Sequence, residues 1–302
     1  MSILLPPSSG QELVIITGFN TLLLQFMLFS TYSVVYFGTM YMYSTRSSAK
    51  CRIVIAAISL SYLISTIQTS VRWYLVKRSF IDSGGTQNTV IVTFVAGPGW
   101  PNLVKDISYF IVGGVADGLL IWRCFQIWNG SFRAISLPLL FAVGAIGVYA
   151  SIVVITFTTK LYTLASVTQD SQLLDILTGV LLFLDLASTL ATTILISYRI
   201  NSFAKRNPFR NSRSRFKRIV EILVQSAAAY SLVIIAYAIA SIIPTDTLES
   251  VNAARSYTSI FYFFTAGIAP TIMVARVLTM ADGRQEILEI SHSSLQFDHT
   301  PV

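Results

Sequence analysis

Two carboxylates sit where carboxylates are expensive. Asp117 and Asp185 each lie within a long apolar run, in the stretches VADGL and FLDLA. At the depth of a bilayer, an acid needs a proton, a cation or a set of hydrogen-bond donors. It therefore marks an ion path, a counter-charge for a ligand, or a neutral group hydrogen-bonded between helices. Hydroxyls accompany Asp185: Ser188, Thr189, Thr192 and Thr193 follow at spacings that keep them on one helix face. A second polar face, Ser61, Ser65, Gln68 and Arg72, recurs every three or four residues in an earlier run and should look into the bundle. Asp117, Asp185, Ser188, Thr189, Thr192, Gln68 and Ser65 are thus the candidate lining of a ligand or ion pocket. Each acid falls about twelve to fifteen residues from its helix start, roughly 18–22 Å at the helical rise, so the two should face a common cavity at matching depth.

The same residue types exclude several chemistries. Both histidines, His292 and His299, lie in the C-terminal tail, so no His/Asp metal site can form inside the bundle. No lysine occupies the middle of any run, which removes a retinal Schiff base. The aspartates lack the glycine-aspartate pattern of aspartyl intramembrane proteases, and there is no Gly-rich phosphate loop or nucleophile with a base. The expectation is no catalytic residue, no metal, no cofactor and no enzyme activity.

The elements that must position the acids follow from composition. With 54% hydrophobic and 12% charged residues, the chain is too apolar for a soluble globule. The net charge of +7 lies in the segments between apolar runs, where it reads as a topology signal and not as a nucleic-acid surface. The opening residues 1–12 carry no basic residue and resemble a short extracellular tail, not a signal peptide. Seven runs follow, at about 13–42, 53–75, 103–128, 135–158, 173–200, 219–243 and 257–280, each near or above the roughly 20 residues a spanning helix needs. Residues 281–302 form a cytosolic tail, in which RQEILEI could lie along the membrane as an eighth helix. The predicted class is an all-α membrane protein, a seven-transmembrane helix bundle.

Details refine the bundle. Gly114 and Gly118 offer a small-xxx-small face for close helix contact. Pro138 falls in the first turn of span four, where proline is tolerated, and Pro270 should kink span seven. Arg72, beside Trp73 and Tyr74, is read as snorkelling to headgroups. The loop between spans two and three holds TVIVTFV, too short to span and read as a hairpin or lid. Cys51 and Cys124 are expected as free thiols.

Basic residues give the orientation. One side holds Arg46, Lys50, Arg52, Arg123, Arg133, Arg199, Arg276, Arg284 and the cluster from Lys205 to Arg218; the other has Arg72, Lys77, Arg78, Lys105, Lys160 and Arg255. The positive-inside rule places the N-terminus outside and the C-terminus in the cytosol, where the sequon at Asn129 stays bare. The basic loop 201–218 should attract anionic lipids, each charge worth about 1 kcal/mol near such a surface, or else a cytosolic protein. Arg123 and Glu221 fall at similar depth near this side, and a bidentate pair between them would form a cytoplasmic latch. Glu221 could instead pair with Arg218 or Lys217 on its own helix, and Arg123 could reach lipid phosphate.

DGLLIWRCFQIW, TTILISYRI and RFKRIVEILVQSAAAYSL together resemble the uncharacterised seven-helix integral membrane proteins of mushroom-forming basidiomycete fungi. The resemblance covers nearly the whole chain and is most specific from span three to span six. It implies the fold and membrane location but no activity. The architecture is similar to G-protein-coupled receptors, in which a contact between spans three and six restrains the inactive state. The chain departs from that pattern: it has no Asp/Glu-Arg-Tyr ending span three, APTIMVAR stands in place of Asn-Pro-x-x-Tyr, span six lacks an internal proline, and no outer cysteine is available. The expected function is an orphan receptor-like protein of the plasma membrane, sensing an unknown small extracellular or membrane ligand. The alternatives are an ion- or proton-coupled transporter or channel using Asp117 and Asp185, and a membrane scaffold without ligand. No internal repeat favours a transporter.

Overall fold

Apolar runs of this length adopt helix in lipid because every backbone N–H and C=O must be satisfied within the segment. A computed structural model of the chain describes the backbone at residues 8–45, 52–82, 90, 100–161, 167–206, 210–243 and 249–296, with side chains over most of these except at the helix ends. Seven long helices are present: α1 (Ser8–Thr45), α2 (Arg52–Lys77), α3 (Trp100–Ile127), α4 (Phe132–Leu161), α5 (Val167–Arg206), α6 (Arg210–Ile242) and α7 (Glu249–Gln296). No strand occurs among the described residues. Each helix contains a stretch long and apolar enough to cross a membrane. Large apolar side chains cover the outside, among them Met27, Val34, Leu140 and Phe183, as a lipid-facing surface requires.

Consecutive helices pack side by side and α7 returns to α1, closing a ring. Helix α3 also touches α5 and α7, so it runs through the middle. The main core gathers Tyr32, Val112, Leu182, Tyr230, Ile234, Tyr262, Phe263 and Phe264 around it. A second cluster, with Cys124, Ile135 and Ile196, lies at the C-terminal end of α3.

Helix α2 turns its polar face toward α1. Gln25 Nε2 donates to Thr69 Oγ1 at 3.4 Å, and Arg72 donates to Thr21 Oγ1 at 3.2 Å. The Tyr36 and Tyr62 rings stack with centroids 4.1 Å apart. Arg72 is thus tied to a helix neighbour, which the snorkelling reading did not include. Most buried hydroxyls, including Ser65, Thr192 and Thr193, donate to a carbonyl one turn back in their own helix, which lets them sit inside without a cross-helix partner.

Other expectations are revised. Helix α4 begins at Phe132, so Pro138 lies inside it, past the first turn. RQEILEI is helical but continues α7 and is not a separate eighth helix. Helices α5 and α6 extend into the basic segment, leaving only residues 207–209 between them outside the described residues. The side chains of 203–223 are likewise outside, and with them the latch partner Glu221. TVIVTFV also falls outside, except Val90, which is helical and buried. Cys51 is outside as well, while Cys124 is a free, buried thiol. The α3–α4 turn is tight because Asn129 and Gly130 both take positive φ, 54° and 80°, and the Gly130 N–H caps the Phe125 carbonyl at 3.0 Å.

Candidate functional site

Helix α3 carries three glycines within six residues, Gly113, Gly114 and Gly118, just around Asp117. A Cβ built at Gly114 or Gly118 would meet nothing within 4 Å. The expected helix contact on this face is therefore absent, because the face borders a void. The close approach is at Gly113, where an added Cβ would lie 2.8 Å from the Tyr262 hydroxyl of α7.

That void is a cavity of about 860 Å³ between α3, α4 and α5, reaching α6 and α7. Both Asp117 and Asp185 line it. At the end formed by the N-terminal parts of α3, α5 and α7, its wall includes Lys105, Asp106, Asp175 and Arg255. There Arg255 Nη1 contacts Asp175 Oδ1 at 2.9 Å, and Arg255 also donates to the Ser241 carbonyl of α6. Toward the other end the wall becomes apolar, with Ile121, Trp122 and Phe125 of α3 facing Phe132, Ile135 and Leu139 of α4.

Four helices build the acid site. Asp117 comes from α3, and its Oδ1 accepts from Thr189 Oγ1 of α5 at 3.3 Å. The Asp185 carboxyl stands beside it, within interaction reach. Asp185 Oδ2 accepts from Tyr230 of α6 at 3.1 Å and from Tyr262 of α7 at 2.9 Å. Both acids are 7% exposed. Asp185 Oδ1 is buried and receives no N–H or hydroxyl donor from another residue, its carboxyl meeting only the Asp117 carboxyl besides Tyr230 and Tyr262; Ser241 Oγ, further along the cavity wall, is likewise buried and unpartnered. Two carboxyls so close repel unless a proton or a cation lies between them, and an unmatched acceptor buried beside them adds to that demand.

A smaller pocket of about 30 Å³ lies on the other side of Thr189 and Tyr230, lined also by Arg123, Ser226 and Pro270. That is the space of about one water molecule. Pro270 has no N–H to give the Ala266 carbonyl, and both residues line this pocket.

Among the residues singled out from sequence, Asp117 and Asp185 meet at the cavity and Thr189 bonds to Asp117. Ser188 lies beside Asp117 and Thr192 is buried, but neither lines the cavity. Ser65 and Gln68 are also buried but do not line it. Arg123 borders the small pocket. Tyr262 was not singled out: it sits in the aromatic run IFYFF, which reads as core. In the charged wall, Lys105 and Arg255 read from sequence only as topology signals, and Asp106 and Asp175 carry no sequence signal of a site.

No protein-family model, no curated protein and no solved structure matches this chain.

Proposed function

We propose that this is a receptor-like seven-helix membrane protein, related to the fungal seven-helix group, that holds a ligand at the Asp117–Asp185 pair. The observation that carries this reading is the unmatched Asp185 Oδ1, buried in the wall of a cavity large enough for a small organic molecule. A ligand bearing a protonated amine fits best: it supplies both a donor to that oxygen and the positive charge that would let two adjacent carboxyls ionise together. Tyr230 and Tyr262 bring α6 and α7 to the same carboxylate, so a cation there would compete with or tighten those bonds. Such differential contact is what a ligand needs to shift a helix bundle between states. In this reading the N-terminus lies outside, as the positive-inside rule implies, and the charged end of the cavity lies at the outer face.

The test is thermal unfolding of the full chain in lipid nanodiscs with butylamine, butanol or butyrate. Stabilisation by the amine alone, lost in Asp185→Asn and Asp117→Asn, is expected. Equal effects of all three probes would contradict the reading.

A transporter reading has one observation in its favour: the small, mostly apolar pocket bordered by Thr189 and Tyr230 leaves space on both sides of the acids. Proton or cation flux in liposomes that stops in Asp185→Asn would select it over the receptor.

A further inference from the structure

The cavity is longer than the site of a small amine. Along α3 it runs from Lys105 past Asp117 to Phe125. The acid pair thus has about 18 Å of wall on its charged side and about 12 Å on its apolar side at the helical rise. The two parts differ in chemistry. The longer part carries Tyr109, Ser241 and the Arg255–Asp175 pair, and Ser241 Oγ there is 1% exposed and unpartnered. The shorter part is apolar on both walls, Ile121, Trp122 and Phe125 against Phe132, Ile135 and Leu139. Nothing polar in it would reward a hydrated ligand. The flank along α4 is open: no residue is buried from 139 to 156, and Phe132, Leu139 and Ile146, which all line the cavity, are 71%, 44% and 56% exposed. Gly114 and Gly118 present bare backbone with open space beyond, between two places where α3 and α4 touch: the Phe110–Tyr149 stack at 3.8 Å and the Phe125–Phe132 contact at 5.0 Å.

From this polarity gradient we infer that the ligand is a single-chain amphiphile with an amine head, drawn from the bilayer between α3 and α4. The amine meets Asp185 Oδ1 and Asp117, hydroxyls on the head meet Ser241 Oγ, and the chain lies in the apolar groove beside Trp122. This rests on the ligand-binding reading above and names the ligand's class. Charge complementarity selects the amine over an acid or alcohol of the same length. The gain over the free bilayer comes from the head, since lipid tails solvate the chain as well as the groove does. The groove decides which chains fit.

The experiment uses the full chain in neutral phospholipid nanodiscs, with Trp73, Trp100 and Trp128 replaced by Phe so that Trp122 reports alone. The probe is dodecylamine carrying a nitroxide at its chain end, with matching dodecanol and dodecanoate probes as controls. Saturable quenching of Trp122 by the amine probe, displaced by unlabelled dodecylamine, is expected. The alcohol and acid should quench only weakly and without saturation, as bystanders in the bilayer. Asp185→Asn should raise the half-saturation concentration about tenfold to a hundredfold, the value of a charge-assisted hydrogen bond. Leu139→Trp, which fills the apolar groove on α4 away from the acids, should abolish saturable quenching while butylamine still stabilises the protein. Butylamine binding without saturable quenching would overturn the amphiphile and leave the amine site. Failure of both amines would overturn the site itself. Identical quenching by amine, alcohol and acid, unchanged in the variants, would also overturn the inference.

Discussion

Adjacent glycines in α3 should respond oppositely to the same substitution. Gly113→Ala puts a Cβ 2.8 Å from the Tyr262 hydroxyl, closer than carbon and oxygen can approach, so that hydroxyl must move. It donates to Asp185 at 2.9 Å, and Tyr262 is 8% exposed with its ring against Tyr230 and Tyr237, so the movement weakens that bond. Loss of a buried hydrogen bond to a carboxyl costs about 1–3 kcal/mol. Gly114→Ala meets nothing within 4 Å. Both substitutions share the helix-propensity gain of alanine over glycine, about 1 kcal/mol, so it cancels in the comparison. Gly113→Ala should therefore fall about 1–3 kcal/mol below Gly114→Ala, or several degrees in Tm at roughly 2–4 °C per kcal/mol for a chain this long. Cys124 is 0% exposed and gives the readout: in a Cys51→Ser background, a thiol-reactive dye labels it only as the bundle opens on heating. Equal midpoints, or Gly114→Ala the less stable, would refute the α3–α7 contact and the Tyr262 placement that depends on it.

Tyr230→Phe and Tyr262→Phe remove two donors to one oxygen, so their costs should be non-additive by about 0.5–3 kcal/mol in a double-mutant cycle; strict additivity would mean they do not share Asp185. Asp175→Asn should cost less than about 1 kcal/mol because the ion pair is 24% and 31% exposed, whereas Arg255→Ala should cost more, since it also releases the Ser241 carbonyl. Equal costs in the same unfolding assay would argue against the second contact. Neutralising Lys205, Arg206, Arg210, Arg213, Arg215, Lys217 and Arg218 should weaken co-sedimentation with anionic over neutral vesicles, and unchanged binding would favour a protein partner for that segment.

The seven helices were legible because bilayer thickness fixes the length of an apolar run, and few other structures satisfy it. The pairing of Asp117 with Asp185 was legible for a related reason: equal distance from the helix starts gives equal depth. What periodicity could not give is the neighbour. The Ser65–Gln68 face was read as pointing inward, and both side chains are buried, but α2 packs on α1, α3 and α7 without these residues reaching the cavity. Gly114 and Gly118 have the spacing of a packing face, and that spacing serves equally to leave space open. Thr192 is a polar residue inside the bundle that needs no partner, because its own helix backbone accepts its proton. Tyr262 could not be found from sequence at all: one phenol among four aromatics carries no sign that its hydroxyl closes on an acid 77 residues away.

The central claim is that the two acids close one cavity and there receive a ligand's donor. The most direct measurement is a density map of the full chain in lipid nanodiscs with saturating butylamine. The account predicts both carboxyls facing the cavity between α3 and α5, with probe density within hydrogen-bond distance of Asp185 Oδ1. An empty cavity at saturation, or either carboxyl turned toward lipid, would contradict it.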